Sequence, residues 1–448
     1  MTRMSEAPRT RPRLPYYPAL DGFRAIALSV MLLFHGGFEW ASGAFLSISA
    51  FFTLSGFLIT GLLVLEHEGT GTIRLASFWE RRFRRLMPAA VLGLLGMSLY
   101  AAFVAAPDEL MQIRGDVIAA LLYVANWRFV WTDQSYARIL TDPSPVQHFW
   151  SLGIEEQFYF FFPLLVLGVL RFVPGSRRGL ALVLAILAAA SVALMSWLHV
   201  PGEDFSRAYY GTDTRAGELF VGAILALVYA GRPLDPRRWV TIATNVAGGV
   251  ALVLSVWLWV TTPEGADWFF EGGSLVYALL TAAVIVGAIR PGPLRSFLSF
   301  APFCWVGWIS YGLYVFHWPI FLWLDGERTG LSGWSLFGLR MLVTFLVAIA
   351  SYRLLEVPIR SRRFVGERVG WFVAPTALAS VALAIVMVSD QLYRPGFAAA
   401  EVAHAESRGT VQPPREDAFR ILFVGDSVAW NMGVGAEVWL KSREDLDV

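Results

Sequence analysis

The sequence predicts an all-α polytopic membrane protein: a bundle of about ten helices, an eleventh span and a short α/β-type tail. Of its 448 residues, 56% are hydrophobic and only 16% are charged, and the mean hydropathy is +0.55. An ordinary soluble domain is about a quarter charged. Because a spanning helix needs about 20 mainly apolar residues, we assign eleven spans, centred near residues 29, 55, 96, 164, 189, 222, 250, 282, 314, 345 and 380.

The distribution of arginine supports this number of spans. Arginines accumulate in the cytoplasmic loops of membrane proteins. With a cytoplasmic N-terminus, 21 arginines fall in predicted cytoplasmic segments and five in predicted outer loops. An odd number of spans then places the residues after 390 outside the cytoplasm.

The spans divide the chain into five regions. Residues 1–15 are polar and basic and predict a disordered cytoplasmic leader. The first apolar run follows this leader, but it contains His35 and lacks an Ala-x-Ala site, so we interpret it as a retained span and not a signal peptide. The remaining regions are a membrane domain at 16–363, an extra span at 364–390, an outer linker at 391–419 and a tail at 420–448.

Two further features limit the class of site. Within the longest outer loop, residues 115–130 are apolar enough to lie against the membrane surface or to dip into it, and the sequence leaves both open. The single cysteine, Cys304, excludes an intramolecular disulfide and a cysteine-based metal cluster. We expect neither a metal nor nucleic acid as a ligand.

The first span carries an arginine and a histidine on one face. Arg24 and His35 are eleven residues apart, which is three helical turns and roughly 16 Å. Ionisable groups inside a span are costly and indicate function. A neutral imidazole can take a proton from a hydroxyl group, so His35 is a candidate base. The alternative is a packing histidine that is satisfied by a neighbouring hydroxyl or carbonyl.

A cluster of arginines opens the third span on the predicted cytoplasmic side. Arg81, Arg84 and Arg85 have i, i+3, i+4 spacing and are expected to share a face, with Arg82 beside them. Guanidinium groups bind phosphates bidentately, so the cluster suits a phosphorylated donor such as coenzyme A. Juxtamembrane arginines also fix topology and bind anionic lipid, which is the competing interpretation.

A third cluster enters the fourth span from the outer side. His148, Ser151 and Glu155 fall on one helical face. A carboxylate and a hydroxyl facing a membrane cavity suit a polyhydroxylated acceptor, or they orient a base. The alternative is an ordinary helix N-terminus with favourable acidic residues.

Smaller signals lie in the same outer half of the membrane. Arg215 and Glu218 are i, i+3 at the start of the sixth span, and the ninth span carries Tyr311 and His317. We assign these four residues to acceptor binding. Aromatic belts at membrane interfaces explain tyrosines such as Tyr311 without function, whereas an intramembrane histidine is less easily explained that way.

Taken together, these motifs resemble the acyltransferase-3 family of integral membrane acyltransferases. The matching segments are LDGFRAIA at 20–27 with His35, FFTLSGFLIT at 51–60, RRFRRLMP at 81–88, WSLGIEEQFY at 150–159, ISYGLYVFHWP at 309–319 and EVP at 356–358. They extend over most of residues 16–363. The sequence departs from the family pattern at Ser49, where an aspartate is usual, so no role of that carboxylate is transferred.

The resemblance implies transfer of an acyl group, commonly acetyl, from cytosolic acyl-coenzyme A to a carbohydrate or lipid-linked glycan outside the bacterial cytoplasmic membrane. His35 would then act as general base or acyl relay, oriented by Arg24 and Glu155. A transporter or flippase for a lipid-linked glycan is the alternative from another class, because such proteins also place His, Arg and Glu at mid-membrane. A sensor or scaffold is a third possibility and would not depend on His35.

The tail carries a separate signal. A strand-like run at 419–424 precedes Gly425-Asp426-Ser427, as it does before the nucleophilic serine of several hydrolase folds. The tail resembles the first block of an SGNH-type hydrolase domain, which family members carry outside the membrane, with Ser427 as nucleophile. The printed sequence holds no catalytic histidine after Ser427, so we expect the natural protein to continue.

Overall fold

Eleven long helices form the body of the protein in a computed structural model, which describes residues 14–140, 143–172, 177–361 and 367–392. Their bounds are α1 (Pro18–His35), α2 (Ser47–Thr70), α3 (Leu75–Phe103), α6 (Phe149–Phe172), α7 (Arg177–Leu198), α9 (Thr212–Tyr229), α10 (Arg238–Thr261), α11 (Ser274–Ile289), α13 (Ala301–Trp323), α15 (Gly333–Ser351) and α17 (Glu367–Leu392). Every predicted span centre falls inside one of them.

Shorter helices connect the long ones. They are α4 (Leu110–Leu121), α5 (Ala125–Trp131), α8 (Ser206–Tyr210), α12 (Pro293–Leu298), α14 (Gly326–Thr329) and α16 (Val357–Arg360), with 3₁₀ turns at Glu39–Leu46 and Tyr136–Arg138 and π-helical turns at Phe269–Gly273 and Tyr352–Glu356. The described residues contain no strand.

Among the described residues, eight helical segments are long and apolar enough to cross a membrane, which confirms the prediction of an all-α polytopic membrane protein. Helices α9, α13 and α17 are not among the eight, so the eleven-span count stays a prediction. Helix α9 carries Asp213, Arg215 and Glu218 within one turn and a half. This helix packs against α2 and α7 and buries most of that charge inside the protein. A hydropathy criterion therefore fails to identify a spanning helix when its charged side chains pair inside the protein.

Glycines let the central helices approach until their backbones touch. A Cβ atom on Gly222 of α9 would lie 1.8 Å from the carbonyl oxygen of Thr53, and one on Gly56 of α2 would lie 1.9 Å from that of Leu219. Similarly, a Cβ on Gly307 of α13 would lie 2.1 Å from the carbonyl oxygen of Asp21 in α1. Small residues at such crossings are typical of membrane helix pairs. The last contact fixes α13 beside α1.

Helices α4 and α5 form a hairpin whose tip packs against α3 and α6, which favours the second of the two options left open for residues 115–130. The hairpin tip is Tyr123, in the left-handed region at φ 56°. The Tyr123 carbonyl accepts a hydrogen bond from Nε2 of Gln157 in α6 at 2.8 Å, and its hydroxyl lies 3.5 Å from Sδ of Met87 in α3. These contacts tie the hairpin tip to the sides of α3 and α6, as expected for a loop that dips into the helix bundle.

The predicted extra span at 364–390 largely coincides with helix α17, which packs against α3 and α4. Its crossing of the membrane stays a prediction, because among the described residues only its shorter segment Thr376–Leu392 is apolar. Near its end, Asp390 pairs with Arg114 of α4 at 2.5 Å. The predicted leader is described only from residue 14. The linker beyond residue 392 and the tail with Asp426 and Ser427 lie outside the described residues.

Candidate active site

Two histidines from different helices meet where α1 ends. Nδ1 of His35 lies 2.8 Å from Nε2 of His317 on α13, and Nδ1 of His317 lies 2.6 Å from the carbonyl oxygen of Tyr314. A carbonyl only accepts, so Nδ1 of His317 carries the proton and its Nε2 accepts from Nδ1 of His35. This assignment leaves the lone pair of His35 on Nε2, as a base requires.

A proline in α13 brings a third histidine to the same place. Pro319 has no N–H, so the helix cannot use the carbonyl of Val315 four residues earlier. Nε2 of His148 donates to that carbonyl at 3.0 Å, and the His148 ring lies 5.4 Å from the ring of His317. Nδ1 of His148 is buried and has no hydrogen-bond partner in the part of the chain that the structure describes.

One turn further into the bundle, Ser151 of α6 faces Tyr314 of α13. Their hydroxyl oxygens are 2.6 Å apart. The Tyr314 hydroxyl donates to the carbonyl of His148 at 2.8 Å, so the Ser151 hydroxyl donates to Tyr314. This contact ties the start of α6 to α13 directly beneath the three histidines.

The next polar contact along α6 involves Glu155 and Tyr159. The Tyr159 hydroxyl donates to Oε2 of Glu155 at 3.2 Å and lies 2.6 Å from Oγ of Ser55 on α2. Arg24 and Arg85 are within electrostatic range of Glu155. His148, Ser151, Glu155 and Tyr159 therefore line one face of α6, from the histidines to the arginines.

The arginine cluster divides into two pairs. Arg81 is exposed and pairs with Glu66 at 3.6 Å, and Arg84 pairs with Glu80 at 3.0 Å. Arg82 points inward over the Tyr159 ring, with 5.6 Å from Cζ to the centroid. Arg85 lies within electrostatic range of Arg24. The i, i+3, i+4 spacing places Arg81, Arg84 and Arg85 on one side of α3, where Arg81 is exposed and the Arg84 side chain is largely buried. Donor binding by the cluster stays a prediction.

Arg24 and His35 do not touch. Arg24 lies with Asp21, at 3.5 Å between Nη1 and Oδ1, while His35 lies three turns away at the other end of α1. Between them α1 presents Leu28 and Met31, and the polar groups lie on the neighbouring α6. The two side chains mark the two ends of a face that α1 shares with α6 and α13. We refer to these as the arginine end and the histidine end.

Arg215 and Glu218 form a closed pair away from this face. They are 0% and 2% exposed and 3.2 Å apart, and Ser49 bonds to both, at 3.1 Å from Nη2 of Arg215 and 2.9 Å from Oε1 of Glu218. The Arg215 guanidinium also lies among four aromatic rings, those of Phe52, Trp150, Tyr209 and Phe269. Both charged groups are engaged with each other and with Ser49, which indicates a structural pair; acceptor binding by Arg215 and Glu218 stays a prediction.

The other four residues assigned to acceptor binding lie at or near the shared face. His148 and Ser151 are on the shared polar face, and His317 is behind His35 and not in front of it. Tyr311 is one turn from Tyr314, in contact with the hairpin tip Tyr123. The sequence indicated the positions of these groups through helical spacing but not which of them would contact one another.

Three contributors were missed from the sequence. Tyr159 lies within the matched motif and its i, i+4 spacing from Glu155 signals the contact. Pro319 signals a free carbonyl at Val315. Gln157 gave no signal: it donates to the hairpin at the Tyr123 carbonyl and accepts from Thr212 of α9 at 2.6 Å. Within the described ranges, no group of three or more His, Cys, Asp and Glu residues is arranged to hold a metal.

Glu264, in the loop after α10, gives a prediction about pH. Burial raises the pKa of this carboxyl from 4.5 to about 7. The folded state therefore favours the neutral form, and stability that is present below pH 4.5 is lost as the pH rises through about 7. We expect the melting temperature in detergent to fall by about 2–5 °C between about pH 5 and pH 8. Glu264→Gln should remove this decline.

The control for this experiment is Glu271→Gln, which changes an exposed carboxylate in the same outer segment. Its pH profile should match that of the unmodified protein. A decline that persists in Glu264→Gln would contradict the assignment.

Comparison with known proteins identifies a family. The family described as "Acyltransferase domain" matches residues 17–353. The chain is 37% identical over 361 residues to peptidoglycan O-acetyltransferase OatA of Listeria monocytogenes, covering 80% of this chain and 58% of that protein. It is 37% identical over 359 residues to the putative peptidoglycan O-acetyltransferase YrhL of Bacillus subtilis, covering 78% of this chain and 56% of that protein.

A third relative is O-acetyltransferase OatA of Staphylococcus aureus, 36% identical over 354 residues, covering 78% of this chain and 58% of that protein. The match thus spans little more than half the length of each of these three relatives. No solved structure gives a significant match.

Proposed function

Because the chain belongs to the acyltransferase domain family, with residues 17–353 matched, we propose that it is a membrane O-acetyltransferase that moves acetyl from cytosolic acetyl-coenzyme A to a cell-wall glycan hydroxyl. The names of the relatives support the reaction and the acceptor class. The observation that carries the proposal is the His35–His317 pair, which presents a free imidazole nitrogen at one end of a face whose other end carries arginines.

The donor site is at the arginine end. Arg82 lies over the Tyr159 ring, and Arg85 is within electrostatic range of Arg24 and Glu155. In the described part of the chain, neither Arg82 nor Arg85 has a carboxylate within ion-pair distance. Positive groups that are not neutralised by a contacting carboxylate suit the phosphates of coenzyme A. The long pantetheine arm of that donor then extends along the shared face toward His35. We place this end on the cytoplasmic side, as the arginine distribution predicts.

The chemical step takes place at the histidine end. Nε2 of His35 accepts the proton of the acceptor hydroxyl as its oxygen attacks the thioester carbonyl, and the C–S bond then breaks. The coenzyme A thiolate leaves and takes up the proton from Nε2 of the His35 imidazolium, which restores the neutral base. His317 fixes the tautomer of His35 and accepts the hydrogen bond of the imidazolium that forms, so it is a positioning residue. Direct transfer and a transient acyl-enzyme both use this arrangement.

The donor site is tested by truncating the arginines one at a time. Arg82→Ala and Arg85→Ala should each raise KM for acetyl-coenzyme A by about tenfold, because each loses a charge-assisted bond worth about 1.5–3 kcal/mol. Arg81→Ala is the matched control, since Arg81 is exposed and paired with Glu66, and its KM should stay within about twofold of the unmodified protein. KM is measured with radiolabelled acetyl-coenzyme A and purified protein in vesicles.

An equal effect in all three variants would contradict the assignment, since a diffuse surface charge would then explain the result. Label that never reaches a glycan, together with glycan movement across the vesicle membrane, would instead identify a transporter.

A further inference from the structure

Beyond the last turn of α1, a group of aromatic rings continues from the histidine end to the protein surface. Phe38 lies 4.2 Å from Trp334 and 6.1 Å from Trp40, measured between ring centroids. The two tryptophans are 64% and 45% exposed. We call Phe38, Trp40 and Trp334 the aromatic platform.

The platform is attached to the helix that carries His35. Gly36 and Gly37 form the turn between His35 and Phe38, with Gly37 at φ +84°. A Cβ atom on Gly36 would lie 2.7 Å from the ring of Phe337, whereas one on Gly37 would meet nothing within 4 Å. The turn is thus closed on one side by an aromatic ring and open on the other, immediately beside the proposed base.

Neighbouring rings hold the platform from behind. Phe337 makes edge-to-face contacts with both Phe38 and Trp334, with angles between the ring planes of 89° and 86°. The ring centroids of Phe337 and Phe321 are 6.1 Å apart, and those of Phe321 and His317 are 5.6 Å apart. Edge-to-face contacts fix ring orientation. The exposed face of Trp334 therefore has a defined direction relative to the two histidines.

We propose that the aromatic platform is the acceptor subsite and that a pyranose ring of the glycan stacks on Trp334 while its hydroxyl reaches Nε2 of His35. The C–H face of a pyranose is apolar and its rim is polar, which matches a flat aromatic surface on the segment that directly follows the His35 imidazole. This inference rests on the proposed function, because it assumes that His35 activates a sugar hydroxyl.

Interfacial tryptophans also occur as membrane anchors, and the test must separate the two roles. Trp334→Ala should raise KM for the tetrasaccharide of N-acetylglucosamine by about tenfold, with kcat within about threefold and KM for acetyl-coenzyme A unchanged. Trp334→Phe should restore most of the affinity. Trp197→Ala is the matched control, since Trp197 is 78% exposed at the end of α7, on another side of the bundle. It should leave both KM values unchanged.

An unchanged acceptor KM in Trp334→Ala, or an equal rise in Trp197→Ala, would overturn the proposal. Equilibrium binding of the same tetrasaccharide provides a readout that does not depend on catalysis. If the unmodified protein binds it without acetylating it, and Trp334→Ala weakens binding about tenfold, the subsite stands and the proposed function fails. If the unmodified protein does not bind it and acetylates another acceptor with the same KM in both forms, the subsite fails alone.

Discussion

Replacing His35 by alanine should lower acetyl transfer by at least about a hundredfold, because general base catalysis contributes about 10²- to 10⁴-fold. The Nε2 lone pair, which the bond to His317 leaves free, is the group that this substitution removes. The amount of protein in the membrane should stay normal. The measurement is transfer of radiolabelled acetyl from acetyl-coenzyme A to glycan, normalised to the amount of purified protein.

Two further variants make this result interpretable. His67→Ala changes a histidine in the last turn of α2, away from the shared face, and should retain full activity. His317→Gln keeps a side chain that can accept from His35 but loses the ring that fixes it, so activity should fall less than in His35→Ala. Full activity in His35→Ala would end the proposed mechanism.

Replacing Arg215 by alanine should destabilise the protein by about 3–5 kcal/mol, because it leaves a buried carboxylate without its partner. Glu218 is 2% exposed and lies 3.2 Å from Arg215. The same change also empties a space among four aromatic rings. We expect a large loss of folded protein in detergent extracts, measured as the monodisperse fraction on size exclusion and as a lower melting temperature.

The matched control is Arg207→Ala, just before α9. Arg207 pairs with Asp213 at 2.7 Å, but both side chains are about one-third exposed, so the loss should be about 0–1 kcal/mol. If Arg215→Ala were as stable as Arg207→Ala and raised KM for the glycan, the original assignment of Arg215 to acceptor binding would be right. A stable, fully active Arg215→Ala would exclude both roles.

The spans were predictable because the bilayer imposes a length and a composition on each helix. Each of the eleven predicted centres lies in a long helix, including α9, whose charges reduce its hydropathy. Helical spacing also placed Ser151 and Glu155 on one face of α6, since the period of an α-helix is fixed. Whether the site residues carry the roles proposed for them remains a prediction.

Partner choice between helices was not predictable in the same way. Periodicity placed Arg81, Arg84 and Arg85 on one side of α3, but it did not show that Arg81 pairs with Glu66 and Arg84 with Glu80. The i, i+3 spacing of Arg215 and Glu218 also predicted a polar site, and only the structure shows that both side chains are buried. The insertion of the hairpin depends on long-range bonds of Gln157 to α5 and α9, which have no signature in a single sequence.

Pro319 limits how this active site can be rebuilt in other proteins. Pro319 leaves the carbonyl of Val315 without its helical donor, and this carbonyl accepts a hydrogen bond from His148. One residue of α13 therefore determines the position of a side chain that precedes α6. A chimera that exchanged α13 for a helix without this proline would keep all three histidines in its sequence and still lose the contact that seats one of them. Grafting experiments in this family should therefore exchange α6 and α13 together as one module.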